Sequence, residues 1–163
     1  MDLAGIVVLA HALLGILFVV GLVGRWIVLG MAERAARLDT MTTLATAAAP
    51  FERLVIVTSS LVLVFGLGAA WLQGRSVLGP LTGGTVDWLF VAVVLYLSNL
   101  PLVPLVFLPR GKVFGAALEE ASTQGEVTPA LRAAWSDPVV RGAHWYELGT
   151  TTIVLILMLS KPF

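Results

Sequence analysis

Four long apolar stretches separated by polar connections make up the chain. In the first, residues 3–30 (LAGIVVLAHALLGILFVVGLVGRWIVLG), only His11 and Arg25 interrupt the run. Roughly 20 such residues let a helix cross the ~30 Å hydrocarbon layer of a bilayer, so this stretch predicts a membrane span. The second predicted span covers 52–72: it enters at Glu52-Arg53, carries Thr58, Ser59 and Ser60 near mid-depth, and has Gly66 and Ala70 four apart. Small residues at that spacing favour close helix packing. The third, 88–108, follows Asp87 as a cap. Pro101 and Pro104 each remove a backbone donor there, which predicts a bend with carbonyls left for other partners. The fourth, 140–160, follows Asp137-Pro138, a start signal of cap and first-turn proline.

The connections predict structure of their own. MAERAARL consists largely of good helix formers and extends the first helix beyond the membrane. Asp39 or Thr40 is expected to cap the next helix, and Pro50 to mark a kink or a fresh start. Residues 73–86 read as a glycine- and proline-punctuated loop. VFGAALEEASTQ reads as an amphipathic helix ended by Gly125, and Thr128-Pro129 opens a short helix through LRAAW. The expected fold is all-α: an integral membrane four-helix bundle with amphipathic cytoplasmic connecting helices, one membrane domain over 1–163.

Charge sets the expected orientation. Arg34, Arg37, Arg53, Arg110, Lys112, Arg132 and Arg141 fall between spans one and two or three and four, with Arg25 at the border. Arg75 and Lys161 alone fall on the other side. The positive-inside rule then places both termini outside a bacterial plasma membrane. Trp26, Trp71, Trp88, Trp145 and Tyr146 fall at span ends, as an aromatic belt requires.

Composition sharpens this picture. The chain is 58% hydrophobic and 12% charged, against about a quarter charged in soluble domains. Its net charge of zero gives no basic excess for nucleic acid. The absence of cysteine removes disulfides, thiolate metal sites and cysteine nucleophiles. The acidic start MDLAG precedes an apolar run longer than a signal-peptide core, so that run is expected to remain in the mature protein. The expected partner is the lipid bilayer, with a homo-oligomer or a membrane partner subunit left open.

Candidate chemistry starts from the polar residues inside the spans. At about 100° per residue, Gly15, Phe18, Leu22 and Arg25 lie within about 40° of His11 on one helix face. An ionisable group facing lipid near the bilayer centre costs at least ~2.5 kcal/mol, so this face should turn inward. His11 and Arg25 are roughly 21 Å apart along the axis and cannot share a small site. His11, Tyr96, Thr151 and Thr152 lie at similar depths in the outer half, with Asn99, Ser59 and Ser60 beneath. Neutral imidazole is a ligand for haem iron and for copper. His11 is therefore the candidate metal ligand, with Tyr96 and Asn99 completing a cofactor site. The other readings are a buried histidine bonded to Tyr96 or a threonine, and a proton relay.

The inner half carries a second candidate. Glu147 enters the inner leaflet, where Arg25 is its expected counter-ion and Glu52-Arg53 lie close by. The pair reads as a structural clamp or as the lining of a site or ion path. His144, at the cytoplasmic start of span four, lies too far from His11 for both to hold one metal. No Gly-rich phosphate loop, HExxH or paired-histidine spacing occurs, and no serine shares a level with a histidine and a carboxylate, so no catalytic residue is assigned. Glu119, Glu120 and Glu126 read as a solvated acidic face.

Motifs spread over nearly the whole chain carry a resemblance. They are His11, Gly15 and Gly24-Arg25, then Glu126-Val127-Thr128-Pro129, Leu131-Arg132, Asp137-Pro138, Arg141, Glu147 and the terminal run from Leu157 to Lys161-Pro162-Phe163. In these the chain resembles a family of predicted bacterial integral membrane proteins of unknown function, grouped with the copper-resistance D membrane proteins and the four-span, haem-binding protoporphyrinogen oxidases. The resemblance implies haem or copper binding by a first-span histidine, the position His11 matches. The oxidase relatives also use a lysine in a later span; this chain has none inside a span, which argues against oxidase activity. Copper transfer would favour methionine and histidine clusters, whereas Met1, Met31, Met41 and Met158 are scattered. Two readings of function follow: a redox or cofactor-handling membrane protein binding haem b or copper through His11, or a non-enzymatic membrane subunit or small transporter in which His11, Arg25 and Glu147 are buried polar glue.

Overall fold

The structure, a computed structural model, describes residues 2–162. Met1 and Phe163, which enter the sequence reading as one of the scattered methionines and as the end of the terminal motif, lie outside the described residues. Every regular element among the described residues is helical. Helix α1 (Leu3–Glu33) opens on Asp2, whose carboxylate accepts from the Gly5 amide at 2.9 Å. A short turn leads to α2 (Leu38–Leu72), which returns antiparallel along it. Close approach depends on glycine: a Cβ on Gly21 would stand 3.0 Å from Val55 Cγ2, and one on Gly24 would enter the Phe51 ring. The remaining helices are α3 (Trp88–Leu97), α4 (Leu108–Gln124), α5 (Pro129–Trp135) and α6 (Pro138–Ser160).

The outward surface of α1 is apolar. Ile6, Leu9, Leu13, Ile16, Val20, Val23 and Ile27 are all exposed, and their alternating spacing of three and four keeps them on one face. The opposite face buries Phe18, Leu22 and Arg25. Helices α1 and α2 are each long and apolar enough to cross a membrane.

Three small cores hold the elements together. Phe18, Leu22 and Val55 lock α1 to α2. Ala70, Trp88, Leu89, Ala92 and Leu157 join the C-terminal end of α2 to α3 and α6. At the opposite end, Met41, Ala117, Ala121 and Leu131 pack the start of α2 against α4 and α5. There Trp135 donates its indole N–H to Met41 Sδ at 3.0 Å and meets the Phe114 ring edge-on. Ion pairs surround this end: Arg110 with Asp137 at 2.6 Å, Arg141 with Glu33 at 2.8 Å, and Arg37 with Asp39 at 2.6 Å. Desolvation would raise the Asp137 pKa, but the Val139 and Val140 amides and Arg110 outweigh it and hold the carboxyl below the usual range.

Some local expectations need correction. Helix α2 begins at Leu38, before both Asp39 and Thr40; Asp39 instead sits in the first turn, where its charge favours the helix N-terminus. Pro50 neither ends nor restarts the helix, which continues through it. One proline forfeits a single donor, and flanking alanines plus packing at Ala48 and Val55 carry the helix past. Trp88, expected in an interfacial belt, is 7% exposed and belongs to the core.

The third apolar stretch is not one helix. α3 stops at Leu97, a turn follows, and residues Val103–Phe107 form a π-helical segment running into α4. The carbonyls that Pro101 and Pro104 would leave open are taken up within the turn, Leu97 O accepting from the Leu100 amide at 3.1 Å and Leu100 O from the Val103 amide at 3.3 Å. Leu95 O accepts from Ser98 Oγ at 2.7 Å and Asn99 Nδ2 at 2.9 Å.

Candidate functional site

The N-terminal end of α1, the C-terminal ends of α2 and α6, and the start of α3 enclose an apolar cleft of about 640 Å³. This falls in the range of small-molecule and cofactor sites. His11, Gly15, Gly66, Tyr96, Asn99, Thr151 and Met158 contribute to its walls. At about 1.5 Å per residue, His11 lies about 12 Å inward from the start of α1.

The His11 ring is fixed on α2. Its Nδ1 lies 3.0 Å from the Val62 carbonyl, a contact that requires the proton on Nδ1. One turn further on, Gly66 leaves room for the ring, since a Cβ there would stand 2.8 Å from His11 Cε1. Nε2, the other ring nitrogen, has no hydrogen-bond partner among the described residues. The partner is a carbonyl of α2, not Tyr96 or a threonine, because helix packing puts the imidazole against the glycine groove before it can reach across the cleft.

Tyr96 and Asn99 reach the same cleft but are already engaged. Tyr96 donates to Ser59 O at 2.6 Å, tying α3 to mid-α2, and its ring leans on Phe18 with centroids 6.2 Å apart. Asn99 donates to Leu95 O and accepts from Thr150 Oγ1 at 3.0 Å. Thr151 lines the cleft, whereas Thr152 is exposed and bonds back to Leu148 O. Ser59 and Ser60 bond back to Ile56 O, so Ser59 contributes its carbonyl and not its hydroxyl.

Farther along α1, towards its C-terminal end, lies a separate cluster. Arg25 forms a buried ion pair with Glu147 through Nη2, and the same nitrogen lies 3.5 Å from His144 Nδ1. The π-helical segment brings Phe107 onto this group: its ring stacks on His144 at 5.0 Å, and the Arg25 guanidinium lies 5.7 Å from its centroid. Arg25 Nε is buried without a hydrogen bond. Glu52 and Arg53, expected close by, form no ion pair with either residue. No family model, no curated protein and no solved structure matches the chain. What the site can do rests on its own chemistry.

Some of the groupings at these two sites escaped the sequence reading. Met158 shares the cleft with His11 although the methionines are scattered in sequence, because α6 runs antiparallel to α1 and brings its C-terminal end back to the start of α1. His144 was weighed only as a metal ligand, but its i,i+3 spacing to Glu147 was the signal that it joins the Arg25–Glu147 cluster. Phe107 carried no signal, since its position depends on the π-helical register.

Proposed function

We propose that the chain is a four-span membrane bundle, both termini outside, whose outer-half cleft binds haem b, with His11 Nε2 the atom that would hold the iron. The observation that carries the reading is the His11 ring itself. Metal-ligating histidines almost always donate their other ring N–H to a carbonyl or carboxylate, which fixes the tautomer and leaves a basic nitrogen for the metal. His11 has that arrangement with Val62 O, within a cleft of cofactor size.

The donor set favours haem over copper. A porphyrin supplies four nitrogens of its own, so a single imidazole from the protein would suffice to hold the iron, and the Met158 thioether lines the same cleft. A copper site needs most of its donors from protein, and no group of three or more His, Cys, Asp or Glu able to hold a metal occurs among the described residues. When bound, haem would supply one-electron chemistry. The chain's own part is to orient the imidazole through Val62 and Gly66, exclude water with apolar walls, and tie α3 to α2 through Tyr96.

The spanning arrangement draws on the exposed apolar face of α1 and on the distribution of arginines. A continuous stripe of that kind would aggregate in water but is satisfied by acyl chains. The test is an absorption titration of detergent-solubilised protein with haem. A saturable Soret band at one haem per chain is expected, lost or blue-shifted in His11→Ala. A spectrum unaffected by that substitution would overturn the reading.

A further inference from the structure

We propose that Arg75 and Lys161 form an anion-holding rim at the outer mouth of the cleft, which takes the carboxylates of the apolar ligand bound within. The inference rests on the haem reading, where those carboxylates are the porphyrin propionates. Both cations line the cleft, whose remaining walls are almost wholly apolar. Both also stand over one platform: Arg75 Cζ is 5.4 Å and Lys161 Nζ 6.0 Å from the centroid of the Trp88 ring. Trp88 is buried in the outer core, so that platform is fixed.

Neither cation has an ion-pair partner among the described residues. The carboxylates at this end of the molecule are otherwise engaged. Asp87 caps α3 by accepting from the Phe90 amide, and Asp2 caps α1 by accepting from the Gly5 amide, both at 2.9 Å. At the inner end Arg37, Arg110 and Arg141 are each matched to a carboxylate, whereas Arg34, Arg53, Lys112 and Arg132 have no ion pair among the described residues, so it is the shared Trp88 platform at the cleft that sets Arg75 and Lys161 apart. Lys161 is anchored as the cap of α6, with its backbone N–H on Leu157 O at 2.9 Å and φ at +43°. Two cations with no ion pair among the described residues, held on one aromatic ring at the open end of an apolar cleft, suit a ligand with an apolar body and an acidic edge. They would fix which edge of that ligand faces out.

The experiment compares haem with haem dimethyl ester, which keeps the iron and the macrocycle but lacks the charges. Wild-type protein should bind haem about tenfold more tightly than the ester, the preference shrinking as salt screens the exposed rim. The Arg75→Gln, Lys161→Gln double variant should bind both about equally and retain a His11-dependent Soret band. His11-dependent binding of haem and ester with equal affinity by wild-type protein would overturn the rim alone, as would a preference that survives in the double variant. If wild-type protein takes up neither porphyrin in a His11-dependent way, the rim and the haem reading fall together.

Discussion

Arg25 and Glu147 show how a single buried pair constrains this chain. Both are nearly inaccessible, and the guanidinium also meets His144 and Phe107. Removing one partner of a buried pair leaves a stranded charge and costs about 3–5 kcal/mol, whereas removing both is far milder. Glu147→Gln is therefore expected to lower thermal stability in detergent, and adding Arg25→Gln to recover part of the loss. Additive losses, read from melting temperatures of the single and double variants, would contradict the pairing. This pair was legible in the sequence, because two opposite charges inside apolar stretches at one depth have few other partners. The His11 partner was not: a backbone carbonyl carries no sequence signal, and only the helix packing selects Val62.

The α1–α2 hairpin shows what glycine does at the level of an element. Gly21 and Gly24 let α2 approach α1, and Gly66 returns the favour by admitting the His11 ring. The sequence reading singled out Gly66 and Ala70 for helix packing; the structure gives Gly66 a side chain to accommodate and puts Ala70 in the core beside Trp88. A branched side chain at Gly66 must displace the imidazole. Gly66→Val is expected to weaken haem binding more than tenfold, while Gly142→Ala on α6, which has open space around it, leaves binding unchanged. Equal affinities in the titration would remove Gly66 from the site. The third stretch marks the limit of pattern reading at this scale. Pro101 and Pro104 predicted a bend, but neither could foretell that the chain re-forms as a π-helical turn and so aims Phe107 at His144.

For the whole molecule, one end gathers the start of α1, the ends of α2 and α6 and the two cations Arg75 and Lys161, and the other gathers α4, α5 and most arginines. The all-helical fold and the apolar character of α1 and α2 were readable from hydrophobic runs; the small core around Met41 was not, because its members lie in three separate segments, the start of α2, α4 and α5. A chain without cysteine makes the four-span arrangement easy to probe. Ser76→Cys should react with a membrane-impermeant maleimide on intact cells, and Ser122→Cys only after permeabilisation; the reverse pattern, or labelling of both from outside, would contradict it. The most direct measurement on the central claim is imidazole rescue of the His11→Ala titration. With imidazole added to fill the vacated space, the variant should regain the wild-type Soret band at one haem per chain. A variant whose spectrum imidazole leaves unchanged, or one that matches wild-type protein without it, would show that the His11 nitrogen does not hold the iron.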